Sequence, residues 1–315
     1  MKDRSFINSL GSSLHQAALF VLAFAMGCAP MPKEDLIQKV EEPAEEIEGE
    51  SPTEIAPDQE EPTPSAKHTF TDTIQEGKDF RHPALHFEML WVPPGNFLIG
   101  SKQKDAPENE KSGALVRITR GFWLASKETT QELYEAVMQE NPSDFKDAHK
   151  PVEGVAYYEA LDFCNKLTRF EQAHGRLEPT LRYHLPTEAQ WEFAAKGGAH
   201  AQKLDFPAVD QGTWHKGNSP GGPNRPAMKA PHPLGFYDIF GNVAEFCYGR
   251  AAPLPTTSET DWIGPQDGNF CVARGGSWYS PPGECSATNR LEVLPTFSMS
   301  MIGFRLALST ALAGK

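Results

Sequence analysis

Apolar and polar positions alternate along this chain with a period that changes repeatedly, and each change marks an element. Phe87-Glu88-Met89-Leu90-Trp91-Val92 is an apolar-rich run of strand length. Pro93-Pro94-Gly95-Asn96 supplies a turn, and Phe97 to Ser101 a second short strand. Val116-Arg117-Ile118-Thr119 alternates with period two, and Phe122 to Ala125 follows as another strand. The spacing then becomes helical. Thr129-x-x-Glu132 has capping-box spacing and predicts a helix to about Gln139 that buries Leu133, Ala136 and Val137. A second helix is predicted from about Tyr157 to Ala173, with Leu161, Cys164 and Leu167 on one stripe and Gly175 as its stop. Leu181 to Pro186 is extended and leads to a third helix, capped by Thr187-Glu188-Ala189-Gln190, carrying Trp191, Phe193 and Ala194, and stopped by Gly197-Gly198. From His200 to Pro233 the chain is rich in Gly, Pro and Asn, which predicts irregular backbone. Short strands mixed with a few helices make the fold class α+β.

The amino-terminal residues follow another pattern. Lys2 and Arg4 precede the apolar run Ala17 to Met26, too short to span a bilayer, so residues 1–27 read as a signal peptide. It ends in Ala25-Met26-Gly27-Cys28, which resembles a bacterial lipobox with Cys28 as the lipidated thiol; an ordinary signal peptide or a buried N-terminal helix is the alternative. Residues 28–68 are an acidic, Pro-rich tether that cannot bury enough apolar surface to order itself. The formal charge of -13 is concentrated there, with twelve acids against two lysines between Ala29 and Ala66. The remaining part, residues 69–310, is therefore nearly neutral and has no basic footprint for nucleic acid. The expected location is the bacterial cell envelope, periplasmic or surface, with acyl chains as the membrane anchor.

Five ordered strings carry a resemblance. They are Met89-x-x-Val92-Pro93-x-Gly95-x-Phe97-x-x-Gly100-Ser101, Leu185-Pro186-Thr187-Glu188-Ala189-x-Trp191-Glu192, Gly241-Asn242-Val243-Ala244-Glu245-Phe246, Arg274-Gly275-Gly276-Ser277-Trp278, and Gly303-Phe304-Arg305. Together with Trp214, Asn218 and Ser219 they resemble the formylglycine-generating enzyme and sulfatase-modifying-factor family from about residue 86 to 308. The resemblance implies one compact α+β domain, related to C-type-lectin-like folds, with small sheets, a few helices and much irregular backbone. It also implies a site: enzymes of this family convert a cysteine of a client sulfatase to formylglycine with O2 and copper(I) held by two thiolates.

At the positions so implied, this chain has Ser277 as the site serine, Ser280 where the first thiol would stand, and Cys285 as the second thiol. Soft thiolates bind Cu(I) and an alcohol does not, so copper is not expected here. Ala244 stands where the family has a Trp beside its reactive pocket. The resemblance further implies a structural calcium held by Asp238, Gly241, Val243 and Glu245, oxygen donors of the kind calcium favours; a hydrogen-bonded turn is the alternative. Export permits disulfides, and Cys247 with Cys271 is the preferred pair among the pairings open to Cys164, Cys247, Cys271 and Cys285. Reduced cysteines remain open. The expected function is that of a membrane-tethered lipoprotein whose domain is non-catalytic and acts through an envelope protein partner or client peptide. The rival is a copper- and oxygen-dependent oxidase, or another maturation oxidase on the same fold.

Overall fold

Alternation along the strands builds two cores on either side of a central sheet. The structure is a computed structural model that describes residues 68–199 and 207–310. The expected signal peptide, Cys28 and all of the tether but His68 lie outside the described residues. The central sheet has five antiparallel strands: β1 (Phe80–Arg81), β2 (Glu88–Val92), β5 (Phe122–Ala125), β12 (Ala307–Thr310) and β6 (Leu181–His184), in that spatial order. Successive side chains of a strand point to opposite faces. Met89, Trp123 and Ala125 accordingly join one core, while Leu90, Val92, Phe122 and Leu124 join the other.

Helices cover each face. On the first, α1 (Gln131–Met138) and α2 (Tyr157–Ala173) pack through Tyr134 stacked on Phe163, with Phe304 edge-on to both. On the second lies α3 (Glu188–Ala195), every residue of which is buried, including the fully enclosed Trp191 and Phe193. A four-stranded sheet of β10 (Arg290–Val293), β9 (Cys271–Arg274), β7 (Ala244–Cys247) and β11 (Ile302–Gly303) carries most of the motif strings. A three-stranded sheet of β3 (Gly95–Leu98), β4 (Leu115–Ile118) and β8 (Glu259–Thr260) completes the fold.

The helices fall where periodicity places them, with local differences. α1 is capped by Thr130, whose hydroxyl accepts from the Leu133 N–H at 3.3 Å, one residue beyond the expected Thr129. The α3 capping box is reciprocal, Thr187 N–H donating to Gln190 Oε1 at 2.9 Å and Gln190 N–H to Thr187 Oγ1 at 3.1 Å. Strand β3 starts at Gly95, inside the expected turn, because Gly95 pairs with Ile118. A Cβ there would lie 2.8 Å from the Phe193 ring, so the strand can approach α3 only through a glycine. Within the stretch expected to be irregular, Val209–Gly212 forms a single helical turn, α4.

The expected Cys247–Cys271 disulfide is corrected: both thiols are free and buried. Cys247 stands opposite Val272 in the β7–β9 register, so Cys271 points to the other face. Cys247 belongs to the second core and Cys271 to the first, where its thiol donates to Val293 O at 3.2 Å. Flanking the same motif in sequence placed the two sulfurs on opposite sides of a sheet.

Candidate functional site

The turn that follows β9 is built by two glycines with positive φ, Gly275 (91°) and Gly276 (75°), a region that side chains with a Cβ rarely adopt. A Cβ on Gly276 would come within 3.1 Å of Cys285 Sγ and 2.7 Å of Glu284 O, so the glycine lets the two ends of the loop touch. Ser277 and Ser280 close the turn. Ser280 N–H donates to Ser277 O at 3.0 Å, Ser277 N–H donates to Ser280 Oγ at 3.1 Å, and the two hydroxyls lie 3.3 Å apart. Ser277 is fully buried and Ser280 nearly so. The Ser280 oxygen thus accepts the hydrogen bond that closes its own turn.

Cys285 lies beside this turn and donates weakly to Ser277 O at 3.8 Å. Burial pushes its thiol up to about 12, so it is protonated at neutral pH, and the thiol form is a poor nucleophile. Cys164 and Cys271 are packed in the first core and Cys247 in the second, all with thiols raised by burial. The donors present, one sulfur and a hydrogen-bonded hydroxyl, do not supply the two thiolates of a copper(I) dithiolate.

Both carboxylates among the positions implied for calcium already accept hydrogen bonds. Glu245 Oε1 accepts from Arg305 Nη2 at 2.6 Å, and its Oε2 from Trp191 Nε1 at 2.6 Å and Arg305 Nε at 2.7 Å. Arg305 is fully buried and also donates to the carbonyls of Ala125 and Tyr237. The Val243 N–H and the Asn242 side chain are tied to Glu128, at 3.0 and 2.7 Å. Asp238 Oδ2 accepts from Ala227 N–H at 2.8 Å, which leaves only Oδ1 without a partner. Glu245 is thus committed to Arg305 and Trp191, while Asp238 keeps one oxygen without a hydrogen-bond partner. Glu128, the buried carboxylate that organises this region, was missed by sequence reasoning, because Ser126-Lys127-Glu128 looks like any polar strand exit.

The same pairing explains the recognisable strings. Trp191 and Glu192 of α3, Glu245 of β7, Arg274 of β9 and Arg305 form a buried network in which Glu192 pairs with Arg274 and Glu245 with Arg305. Arg290 extends it through Glu188 at 2.5 Å. Removing one member of such a pair strands a buried charge, so these residues must occur together.

Of the expected site residues, Cys285 and Asp238 are brought together on the wall of one cavity of about 400 Å³, with Phe236, Ile239, Phe240 and Ala287. Neither serine of the turn lines it, nor does Glu245. Asp238 is held at φ 51°, and burial raises its carboxyl from 3.8 to about 6. His232, on the same wall, is lowered to about 4 by burial and is neutral at pH 7.

Several known proteins are similar to this chain, three of which illustrate the range. The Chaperone protein LppX of Paenibacillus barcinonensis is 28% identical over 204 residues, which cover 50% of this chain and 70% of LppX. The Formylglycine-generating enzyme of Thermomonospora curvata is 31% identical over 155 residues, 39% of this chain and 48% of the enzyme, so the match spans about half of that protein. Among solved structures, Treponema denticola variable protein 1 superposes with a TM-score of 0.64 at 29% identity, covering 73% of this chain and 98% of that one. The family profile for the Sulfatase-modifying factor enzyme 1-like domain matches residues 78–310. That match, over the residues that form both cores and the buried network, places the chain in the sulfatase-modifying-factor (formylglycine-generating-enzyme-like) family.

Proposed function

We propose that this chain is a lipid-anchored protein of the bacterial cell envelope whose domain works by binding an envelope protein or client peptide rather than by copper–thiolate oxidation. One observation carries the second half of this reading: the Ser280 hydroxyl closes the Ser277 turn beside a lone, protonated Cys285. The likeness to a protein named a chaperone supports a client-binding role, and the lipobox-like Cys28 supports the anchor.

Two experiments test the halves separately. The full chain, incubated with copper(I), O2 and a Cys-containing sulfatase peptide, is expected to leave the peptide mass unchanged. Aldehyde formation would make the chain an oxidase, as in the formylglycine-generating enzyme it matches. Cys28→Ala is expected to move the protein from the membrane to the soluble fraction, and unchanged fractionation would refute the anchor.

A further inference from the structure

A groove at the carboxyl end of β4 keeps hydrogen-bond donors that the surrounding residues leave unmatched. The turn after β8 forms one wall. Asp261, at φ 48°, donates its N–H to Arg117 O at 2.8 Å, while its Oδ1 accepts the Thr119 N–H at 2.8 Å and its Oδ2 the Thr119 hydroxyl. These bonds pin the next residue, Trp262, whose half-buried indole packs against the second core. Trp262, Ile118 and Ile263 give apolar surface around a space of about 270 Å³, larger than the roughly 150 Å³ that holds benzene. Some polar groups on the walls are committed: Ser309 Oγ meets His184 Nε2 at 2.9 Å and Thr310 O at 2.8 Å, and Thr187 Oγ1 accepts the Gln190 N–H at 3.1 Å. Two residues keep free donors. Gln190 is 8% exposed and its Oε1 accepts the Thr187 N–H at 2.9 Å, but its Nε2 donates to none of the described residues and is not sealed from solvent. Arg120, exposed at the rim, makes one long hydrogen bond, from Nη1 to Thr310 Oγ1 at 3.4 Å, and no ion pair among the described residues.

Unused N–H donors beside an apolar wall select an acceptor with an apolar body. A carboxylate only accepts, takes a guanidinium through both oxygens, and has lone pairs left for a further N–H such as that of Gln190 Nε2. The acidic side chains at the groove do not claim these donors. Asp261 is held by Thr119, and Glu188, at the start of α3, pairs with Arg290 and Arg274. We propose that this groove binds a small carboxylate with an aromatic or aliphatic body, the carboxylate on Arg120 and Gln190 and the body on Trp262. The inference goes beyond the proposed function, since it needs neither the lipid anchor nor the loss of copper chemistry.

The probes are 3-phenylpropanoate, its neutral isostere 3-phenylpropanamide and the cation 3-phenylpropan-1-amine, titrated calorimetrically into the full chain at neutral pH. The carboxylate is expected to bind about fivefold more tightly than the amide, a modest ratio because Arg120 stands at the solvent-exposed rim. The amine, which Asp261 alone would favour, is expected to bind no better than the amide. Arg120→Gln, a change at an exposed side chain, is expected to remove the preference for the carboxylate. Gln190→Glu keeps an oxygen to accept the Thr187 N–H, so the helix cap survives, but it replaces the free donor with a repelling oxygen. It is expected to abolish binding of the carboxylate and spare that of the amide. Trp262→Ala is expected to weaken both. No measurable binding of the carboxylate, equal affinity for carboxylate and amide, an amine that binds more tightly than the amide, a preference that survives Arg120→Gln, or carboxylate binding by Gln190→Glu as tight as by the parent chain would each overturn the proposal.

Discussion

Ser280 shows how far one atom constrains what a turn can do. Its oxygen accepts the Ser277 N–H inside a buried loop. Ser280→Ala is expected to leave that donor unmatched and lower stability by about 1–3 kcal/mol in denaturant titration. The expectation fails if the midpoint does not move. Two other buried residues set opposite pH dependences. Asp238 has a folded pKa of about 6, above its ordinary 3.8, so the folded state binds the extra proton and its contribution to stability falls as pH rises through that window. His184 runs the other way: buried against Leu185 O and Ser309, it is lowered from 6.5 to about 4. The unfolded chain takes up that proton first, so stability is lost as pH falls from 6.5 towards 4, by about 3 kcal/mol at most. Thermal melts of His184→Gln at pH values spanning that range should show a shallower acid loss than the parent chain, and an identical slope would contradict the assignment.

Among elements, α3 joins the most distant parts of the chain. Its cap, Trp191 and Glu192 were all legible in the string from Leu185 to Glu192, and capping-box spacing placed its first turn correctly. What that string could not convey is why it must persist: Glu192 meets Arg274, 82 positions away, and Trp191 meets Glu245, 54 away. Glu192→Ala is expected to cost about 3–5 kcal/mol, because it leaves the buried Arg274 with only Glu188, at 3.5 Å and already paired with Arg290, as a counter-charge. Thr187→Ala, which removes only the cap, should cost about 1 kcal/mol. Equal costs for the two variants would argue that the network adds nothing beyond the cap. The disulfide expectation failed at this scale too. Spacing along the chain carries no information on which face of β7 or β9 a cysteine occupies until the register is known, and the register puts Cys247 against Val272.

For the molecule as a whole, the α+β architecture and family were legible because several strings recur in a fixed order, each tied to a core or to the buried network. The site was legible in part: Ser277, Ser280 and Cys285 do meet at one turn, and Asp238, expected at a calcium ion, lines a cavity with Cys285. Glu128 and the partner of Glu245 depend on contacts that no local spacing encodes. Calcium added to the full chain is expected to leave the melting temperature unchanged, since Glu245 is already held by Arg305 and Trp191. A concentration-dependent rise would restore the calcium site.

The central claim, that the chain has lost the thiolate pair needed for copper chemistry, is tested most directly by titrating copper(I) against a competing chelator. The full chain is expected to leave the metal with the chelator, and Ser280→Cys, which places a second sulfur beside Cys285, is expected to withdraw it. Tight one-to-one binding by the unaltered chain that disappears in Cys285→Ala would contradict the account.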